Sequence, residues 1–366
     1  MNLRLREKSS KFLLYLGSER LLRFVSLHPE WADIRVTENC NSRCITCYAW
    51  KNKSKGELTT EEIKDALHQM KGIGIKNVVF IGGEPLLRKD IGVLVKEASL
   101  LNFKDIIVVT NGLLLEAKAE ELLESGVTHI TVSIDGIGTT NDEIRGIADS
   151  YEKSISGIKA VQRLKKEMNS NVSVTIITTL LLNQNVDEIR KMVEVSRSIG
   201  VHWFFNLLDP NVNIFKEIPF SELLVKDGKK IDATIDYIKQ VCERDSQLIP
   251  SCDHMLEFAR TYLKGKSLVE KINPYDFHCV HGHKLLYLGS HGEIYPGCYA
   301  MDPIGNIRKD KLQDIVSSKQ AKKIAKKMYM MDCPGCTNRY EFNIASKHLL
   351  SHLLRCTKKK PKEETI

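Results

Sequence analysis

Three cysteines stand close together in Cys40-Asn41-Ser42-Arg43-Cys44-Ile45-Thr46-Cys47. A Cys-x3-Cys-x2-Cys spacing lets three thiolates of one loop each reach a different iron of a cubane, leaving the fourth iron without a protein ligand. An iron with open positions binds a small molecule directly, as other metal sites with a coordination vacancy do. Thiols in so short a loop are poor disulfide partners, and zinc ordinarily wants a fourth protein ligand nearby. A second set consists of Cys279, Cys298, Cys333 and Cys336, the last two as Cys333-Pro334-Gly335-Cys336. Four such thiolates suit either zinc or a further [4Fe–4S] cluster, and spacing alone does not choose. His278, His281 and His283 surround Cys279; they could add a metal site, although supporting and surface roles are commoner for such histidines.

The elements that position these residues alternate from residue 33 to 208. Strands are expected at Asp33–Thr37, Asn77–Ile81, Asp105–Thr110, His129–Ile134, Val172–Thr178 and Val201–Leu208, each short, rich in Val and Ile, and separated by helix-length segments. Thr59 followed by Glu62 reads as a capping box before the first helix. Six βα repeats point to an α/β fold with a parallel sheet, open or curled into a partial (βα)6 barrel, and such folds carry chemistry at the C-terminal ends of their strands. The cysteine loop follows the first strand, and Gly82-Gly83-Glu84-Pro85 ends the second. Residues 1–30 hold an amphipathic helix (11–27), residues 31–208 the barrel, 209–278 a mostly helical insert over the barrel mouth, 279–340 a cysteine-bearing domain, and 341–366 a helix and basic tail. In the cysteine-bearing domain Leu285–Tyr287 and Glu293–Tyr295 form a hairpin through Gly289–Gly292.

Composition narrows the class. The chain has 366 residues, 42% hydrophobic and 27% charged, values of an ordinary globular protein. Ten cysteines, with neither a secretory signal nor an apolar run near the roughly 20 residues that span a bilayer, indicate metal or thiol chemistry in a cytoplasmic chain rather than disulfides. The net charge of +8 favours an anionic partner without naming one. Residues 11–27 are read first as a helix packed on the main domain and second as a peripheral membrane contact. Lysines 319, 322, 323, 326 and 327 form a basic stretch without interleaved aromatics, so nucleic acid is not expected.

With the cysteine loop after the first strand and Gly-Gly-Glu-Pro after the second, residues 33–340 resemble the radical S-adenosylmethionine (SAM) superfamily, in its SPASM/Twitch branch. The resemblance implies a SAM-binding [4Fe–4S] cluster on Cys40, Cys44 and Cys47. It also implies a SAM site from Gly82, Gly83, Glu84 and Pro85, where backbone groups and the Glu84 carboxylate hold the amino group. Tyr48 is then expected against the adenine. Asn111, Ser133 and Asp135 would face ribose or carboxylate, Arg145 would pair with the methionine carboxylate, and Asn206 would reach adenine or substrate. Gly292-Glu-Ile-Tyr-Pro-Gly-Cys298, Ile304-Gly-Asn-Ile307 and Cys333-Pro-Gly-Cys336 are similar to the SPASM signature, which implies an auxiliary [4Fe–4S] cluster on Cys279, Cys298, Cys333 and Cys336. Residues 337–355 contain no cysteine. The pattern thus resembles the shorter Twitch form, which implies one auxiliary cluster, as in the butirosin-pathway dehydrogenase.

The activity so implied is reductive cleavage of SAM to a 5′-deoxyadenosyl radical that takes hydrogen from a substrate, with an electron donor such as flavodoxin or ferredoxin as partner. Three outcomes compete: oxidation of a small, sugar or lipid-linked molecule, epimerisation, and peptide maturation. Epimerases of this family use a hydrogen-donating cysteine, for which Cys252, in the insert, is the candidate; its plain alternative is a buried thiol. A non-catalytic zinc protein that binds nucleic acid is the competing class, and it leaves Gly82–Pro85 without a purpose.

Overall fold

The computed structural model describes residues 29–52, 54–180, 182–208, 220–249, 256, 259–260, 262–264, 277–279, 281–329, 332–333 and 343–345. The N-terminal amphipathic helix, the basic tail, Cys252, Cys336 and Cys356 lie outside these residues. Strands and helices alternate as β1 (Trp31–Arg35), α1 (Thr60–Gly72), β2 (Asn77–Ile81), α2 (Ile91–Leu100), β3 (Asp105–Thr110), α3 (Leu115–Glu124), β4 (His129–Ser133), α4 (Thr139–Arg145), α5 (Ser150–Glu167), β5 (Ser173–Thr179), α6 (Ile189–Ser198) and β6 (His202–Asn206). Beyond them come α7 (Phe220–Leu223), α8 (Gly228–Arg244), β7 (Phe277–Cys279), α9 (His281–Lys284), β8 (Leu285–Leu288), β9 (Glu293–Tyr295), β10 (Gly305–Asn306), α10 (Leu312–Ser317), α11 (Lys319–Tyr329) and β11 (Asn343–Ala345).

Nine strands form one sheet in the order β10-β9-β8-β1-β2-β3-β4-β5-β6. β1 to β6 pair in parallel, neighbour to neighbour. This is the curled parallel sheet expected from the βα repeats. Period-two alternation divides its faces. Ala32, Ile34, Val78, Phe80, Ile106, Val108, Ile130, Val132, Val174, Ile176, Trp203 and Phe205 are buried in the core against the helices. The intervening residues, Asp33 and Arg35 on β1 and Thr131 and Ser133 on β4 among them, face the other side.

Two features depart from the sequence reading. β1 begins and ends two residues early, because residues 36–39 leave the regular ladder yet still pair with the loop after β2, through Val36 N–H to the Ile81 carbonyl at 2.8 Å and Gly83 N–H to the Thr37 carbonyl at 2.7 Å. The cysteine-bearing domain is also not appended to the barrel as a separate layer. β8 pairs in parallel with β1, from Trp31 opposite Leu285 to Ile34 opposite Leu288, and the β8–β9 hairpin extends the barrel sheet. The capping box forms as expected: Thr59 Oγ1 accepts from Glu62 N–H at 3.3 Å, and Glu62 Oε2 accepts from Thr59 N–H at 2.8 Å. Cys242 is a buried core thiol on α8. No helix among the described residues is long and apolar enough to cross a membrane.

Candidate active site

The cysteine loop leaves β1 and is strapped to the end of α4. Arg43 N–H donates to the Arg145 carbonyl at 3.0 Å and Ile45 N–H to the Ile144 carbonyl at 2.9 Å. Gly146 permits this seat: its φ is +63°, and a Cβ there would lie 2.5 Å from the Arg43 carbonyl oxygen. Burial pushes the Cys40 thiol up to about 11, with the neighbouring Cys44 and Cys47 and the Glu84 carboxylate adding to it. Burial also raises Cys44 and Cys47. Thiols clustered this way resist ionising unless a cation joins them, and bound iron is such a cation. Among the described residues no three His, Cys, Asp or Glu side chains converge as a single metal ion requires; a cubane instead asks for one thiolate on each of three irons.

The loop after β2 is pressed against the base of this loop. A Cβ on Gly82 would lie 2.5 Å from the Thr37 carbonyl oxygen, and one on Gly83 would lie 2.2 Å from that of Asn39. Glu84 N–H donates to the same Asn39 carbonyl at 2.7 Å. Only a glycine pair allows two backbones so near, and the contact sets the Gly-Gly-Glu-Pro segment beside the cysteines. A cavity of about 590 Å³ opens there, lined by Cys40, Asn41, Arg43, Trp50, Lys51, Gly146 and Ile147.

The side chains expected to touch SAM make contacts within the protein. The Glu84 carboxylate is buried and turned inward. It accepts from Thr110 Oγ1 at 2.7 Å and Leu86 N–H at 3.0 Å on one oxygen, and from Asn111 N–H at 2.7 Å on the other. Burial raises its pKa although these donors oppose the shift. Glu84 therefore clamps the loops after β2 and β3, and the backbone of residues 82–84 is what remains for a ligand. Asn111 reaches the cysteine loop, donating from Nδ2 to Asn41 Oδ1 at 2.7 Å and Ser42 Oγ at 3.0 Å. Asp135 is wholly buried: Thr179 N–H donates to Oδ1 at 2.6 Å, and Arg145 Nη2 lies 2.9 Å from Oδ2. Arg145 is thus already paired, and its Nη1 lies 3.7 Å from Cys44 Sγ. Ser133 ends β4, half-buried, and Asn206 ends β6, exposed. Tyr48 follows the cysteines with the Lys51 ammonium 3.8 Å from its ring centre.

Sequence reasoning missed a second group, on the β1–β8 side. A cavity of about 480 Å³ is lined by Arg35, Glu38, Lys51, Asn52, Ser54, His291, Tyr295 and Tyr299, among others. Arg35 lies 3.3 Å from Glu38 Oε2 and 5.3 Å from the Tyr299 ring centre. Tyr299 packs on Tyr287, centroids 4.2 Å apart, and on Tyr295, 5.1 Å apart. The signal was present in β1, where Asp33 and Arg35 interrupt an apolar strand at period two. Asn185 was missed as well; it is fully buried and ties the Asp135 carbonyl at 2.8 Å to the Thr179 carbonyl at 2.7 Å.

In the second cysteine set, Cys279 ends β7, Cys298 follows β9 and Cys333 follows α11. Burial pushes the Cys279 thiol up to about 12, and the nearby Cys333 and Cys298 add to it. Gly297, with φ +72°, lets the hairpin exit approach α9; a Cβ there would lie 2.4 Å from the His281 carbonyl oxygen. His281 is buried, and His283 packs edge-on against Tyr329, centroids 6.4 Å apart, with its Nε2 buried and without a hydrogen-bond partner.

Comparison with known proteins agrees with this geometry. The radical SAM superfamily matches residues 34–195, and the SPASM iron–sulfur cluster-binding domain matches residues 279–337. The AdoMet-dependent heme synthase of Methanosarcina barkeri is 26% identical over 300 residues, which cover 78% of this chain and 82% of that protein. The pre-heme d1 synthase of Dinoroseobacter shibae is 30% identical over 173 residues, 46% of this chain and 41% of that protein. Among solved structures, SuiB of Streptococcus suis bound to its precursor peptide SuiA superposes with a TM-score of 0.64 at 17% identity, covering 84% of this chain and 69% of that one. SuiB has also been solved with SAM bound. A glycine-cradled three-cysteine loop at the mouth of a parallel barrel, followed by a second cysteine domain built onto the same sheet, makes this chain a radical SAM protein with a SPASM domain, one that carries [4Fe–4S] chemistry and binds SAM.

Proposed function

We propose that the chain is a radical SAM enzyme of the single-auxiliary-cluster, Twitch type, acting on a small, anionic, non-peptide substrate. The observation that carries the reading is the contact between Gly82–Glu84 and residues 37–39, which sets the loop after β2 against the start of the three-cysteine loop, where a cavity of about 590 Å³ is lined by Cys40, Asn41 and Arg43. When bound, the cluster and SAM supply one-electron cleavage of the sulfonium and a radical able to remove an unactivated hydrogen. The protein's part is to position them. Glu84 and Asn111 lock the loops after β2 and β3 to the cysteine loop, and Gly83 fixes their spacing.

Arg35 and Lys51 line the β1–β8 cavity and support an anionic substrate group there, although Glu38, paired with Arg35 at 3.3 Å, and Glu293 line it as well. The heme synthase relative, which aligns over most of both chains, supports a non-peptide substrate. Oxidation, with the auxiliary cluster as electron acceptor, is the favoured outcome; epimerisation through Cys252 is its rival.

Anaerobic reconstitution tests the reading. About eight irons per chain are expected. About four, unchanged when Cys279, Cys298, Cys333 and Cys336 are replaced, removes the auxiliary cluster. A reduced Cys40→Ala variant should form no 5′-deoxyadenosine; undiminished formation refutes the assignment of the first loop. Solvent deuterium in the product, lost in Cys252→Ala, would replace oxidation with epimerisation.

A further inference from the structure

We infer that Asp135 and Arg145 form a fixed charge couple on Cys44 that sets the reduction potential of the cluster held by the first loop, before any SAM is bound. The inference rests on the proposed reading that Cys40, Cys44 and Cys47 hold that cluster. Its basis is the two contacts that the guanidinium makes through Nη1 and Nη2, while its buried Nε has no hydrogen-bond partner. Arg145 closes α4, whose last carbonyls anchor the cysteine loop, so the backbone that carries the guanidinium is fixed to the backbone that carries the thiols. Nη1 points to Cys44 Sγ at 3.7 Å, and Nη2 lies 2.9 Å from Asp135 Oδ2.

Asp135 is in turn immobile. Its Oδ1 accepts from Thr179 N–H at 2.6 Å, its N–H donates to Asn141 Oδ1 at 2.8 Å, and its carbonyl accepts from Asn185 Nδ2 at 2.8 Å. Both partners of the last two bonds are buried side chains, and Asp135 has no exposed surface.

A donor cation on a cluster thiolate favours the reduced, more negative cluster, and hydrogen bonds to the sulfurs are a recognised control on such potentials. Asp135 behind the cation moderates it. Removing either partner should therefore move the potential in opposite directions. Arg145 and Asp135 are positioning residues in this role, since they act through Cys44.

The test is a redox titration of the reconstituted, SAM-free protein, followed by electron paramagnetic resonance, with iron content measured on every variant. Arg145→Met is expected to lower the reduced-to-oxidised ratio about tenfold at the wild-type midpoint, which is about 59 mV for one electron. Arg145→Lys should recover most of that ratio, and Asp135→Asn should raise it. Full iron with an unmoved potential in Arg145→Met overturns the inference, as does a shift of the same sign in Asp135→Asn. Should Arg145→Met fail to take up iron, Asp135→Asn decides alone: a raised ratio supports the couple, and an unchanged or lowered one overturns it. A variant that loses SAM affinity while its SAM-free potential stays at the wild-type value also overturns it, because the guanidinium would then serve only the cosubstrate. Failure of the underlying reading looks different: wild-type protein would hold no iron that Cys40→Ala removes.

Discussion

Gly83→Ala is the sharpest test of how the two loops meet. An added Cβ would stand 2.2 Å from the Asn39 carbonyl oxygen and 2.5 Å from that of Glu38, where an ordinary contact begins at 3.4 Å. Both obstacles are backbone, so no rotamer relieves the clash, and the loops must part by roughly 1 Å. That movement stretches Gly83 N–H to Thr37 and Glu84 N–H to Asn39, both 2.7 Å long. Each is worth about 1 kcal/mol, and overpacking adds about 1–3 kcal/mol. The cost falls on the junction between the cysteine loop and the loop after β2, because the atoms nearest the added Cβ are backbone of Glu38 and Asn39. A misplacement of about 1 Å costs on the order of 100-fold in rate. The expected outcome is full iron content, SAM binding weakened at least about tenfold, and 5′-deoxyadenosine formation reduced about 100-fold. Gly72→Ala is the control: nothing lies within 4 Å of its Cβ position at the end of α1, so this change should leave cleavage unaltered and stabilise by up to about 1 kcal/mol. Wild-type SAM affinity and cleavage in Gly83→Ala would refute the claim that the Gly83 contact shapes the site.

Three further outcomes are expected. Glu84→Gln replaces one of two accepting oxygens by a donor, leaving a buried N–H opposite an NH2 group; a loss of about 1–3 kcal/mol by denaturant unfolding is expected, and unchanged stability would show that the carboxylate is not the clamp. Burial holds His283 at about 4 against an ordinary 6.5, so the unfolded chain binds the extra proton between those values. Stability should then fall by about 3 kcal/mol as pH drops through that window, and His283→Leu should flatten the slope, as seen in pH-dependent melts. The Arg308 hydrogen bonds hold Glu62 at about 2 rather than 4.5, so the tie between α1 and the segment after β10 persists above pH about 4.5 and is lost as pH falls towards 2; Arg308→Gln should erase the acid dependence of hydrogen exchange at residues 56–62.

The parallel strands were legible because each carries its own period and its own flanking turns, and the cysteine loop and Gly-Gly-Glu-Pro were legible because their chemistry is local. What escaped the sequence was pairing at long range. Nothing in Leu285–Leu288 marks it as a partner for Trp31–Ile34 rather than as half of an isolated hairpin, since an apolar tetrapeptide pairs equally well with either. Side-chain direction escaped it too. Glu84 and Asp135 stand where ligand-binding carboxylates would, and only the structure shows their surroundings: Thr110, Asn111 and Leu86 donate to Glu84, Thr179 donates to Asp135 Oδ1, and Arg145 lies 2.9 Å from Oδ2.

The missed strand pairing changes how the second cysteine domain relates to the first site. A domain hung on the 209–278 insert could swing, and its metal would then cover or uncover the barrel mouth. Here β8 is hydrogen-bonded to β1, the strand from which the cysteine loop departs. The turn between β8 and β9 is bound to that same region: Ser290 Oγ donates to Glu38 at 2.7 Å, Leu58 N–H donates to the Ser290 carbonyl at 2.7 Å, and Ser54 meets His291 Nε2 at 2.7 Å. Arg308 completes the join, reaching the Glu62 carboxylate at 2.6 and 2.9 Å and the Gly56 carbonyl at 2.9 Å. Cys298, ten residues beyond the end of β8, is therefore held at a fixed offset from the first loop by ladder and side-chain bonds, not by a linker. A fixed offset suits electron transfer, which depends on distance, and serves a moving lid poorly. Arg308→Ala combined with Ser290→Ala should accordingly slow electron equilibration between the two cluster sites, followed by rapid-freeze spectroscopy, while leaving each site's iron in place; equilibration at the wild-type rate in a chain whose hairpin exchanges freely with solvent would show that the join is structural only.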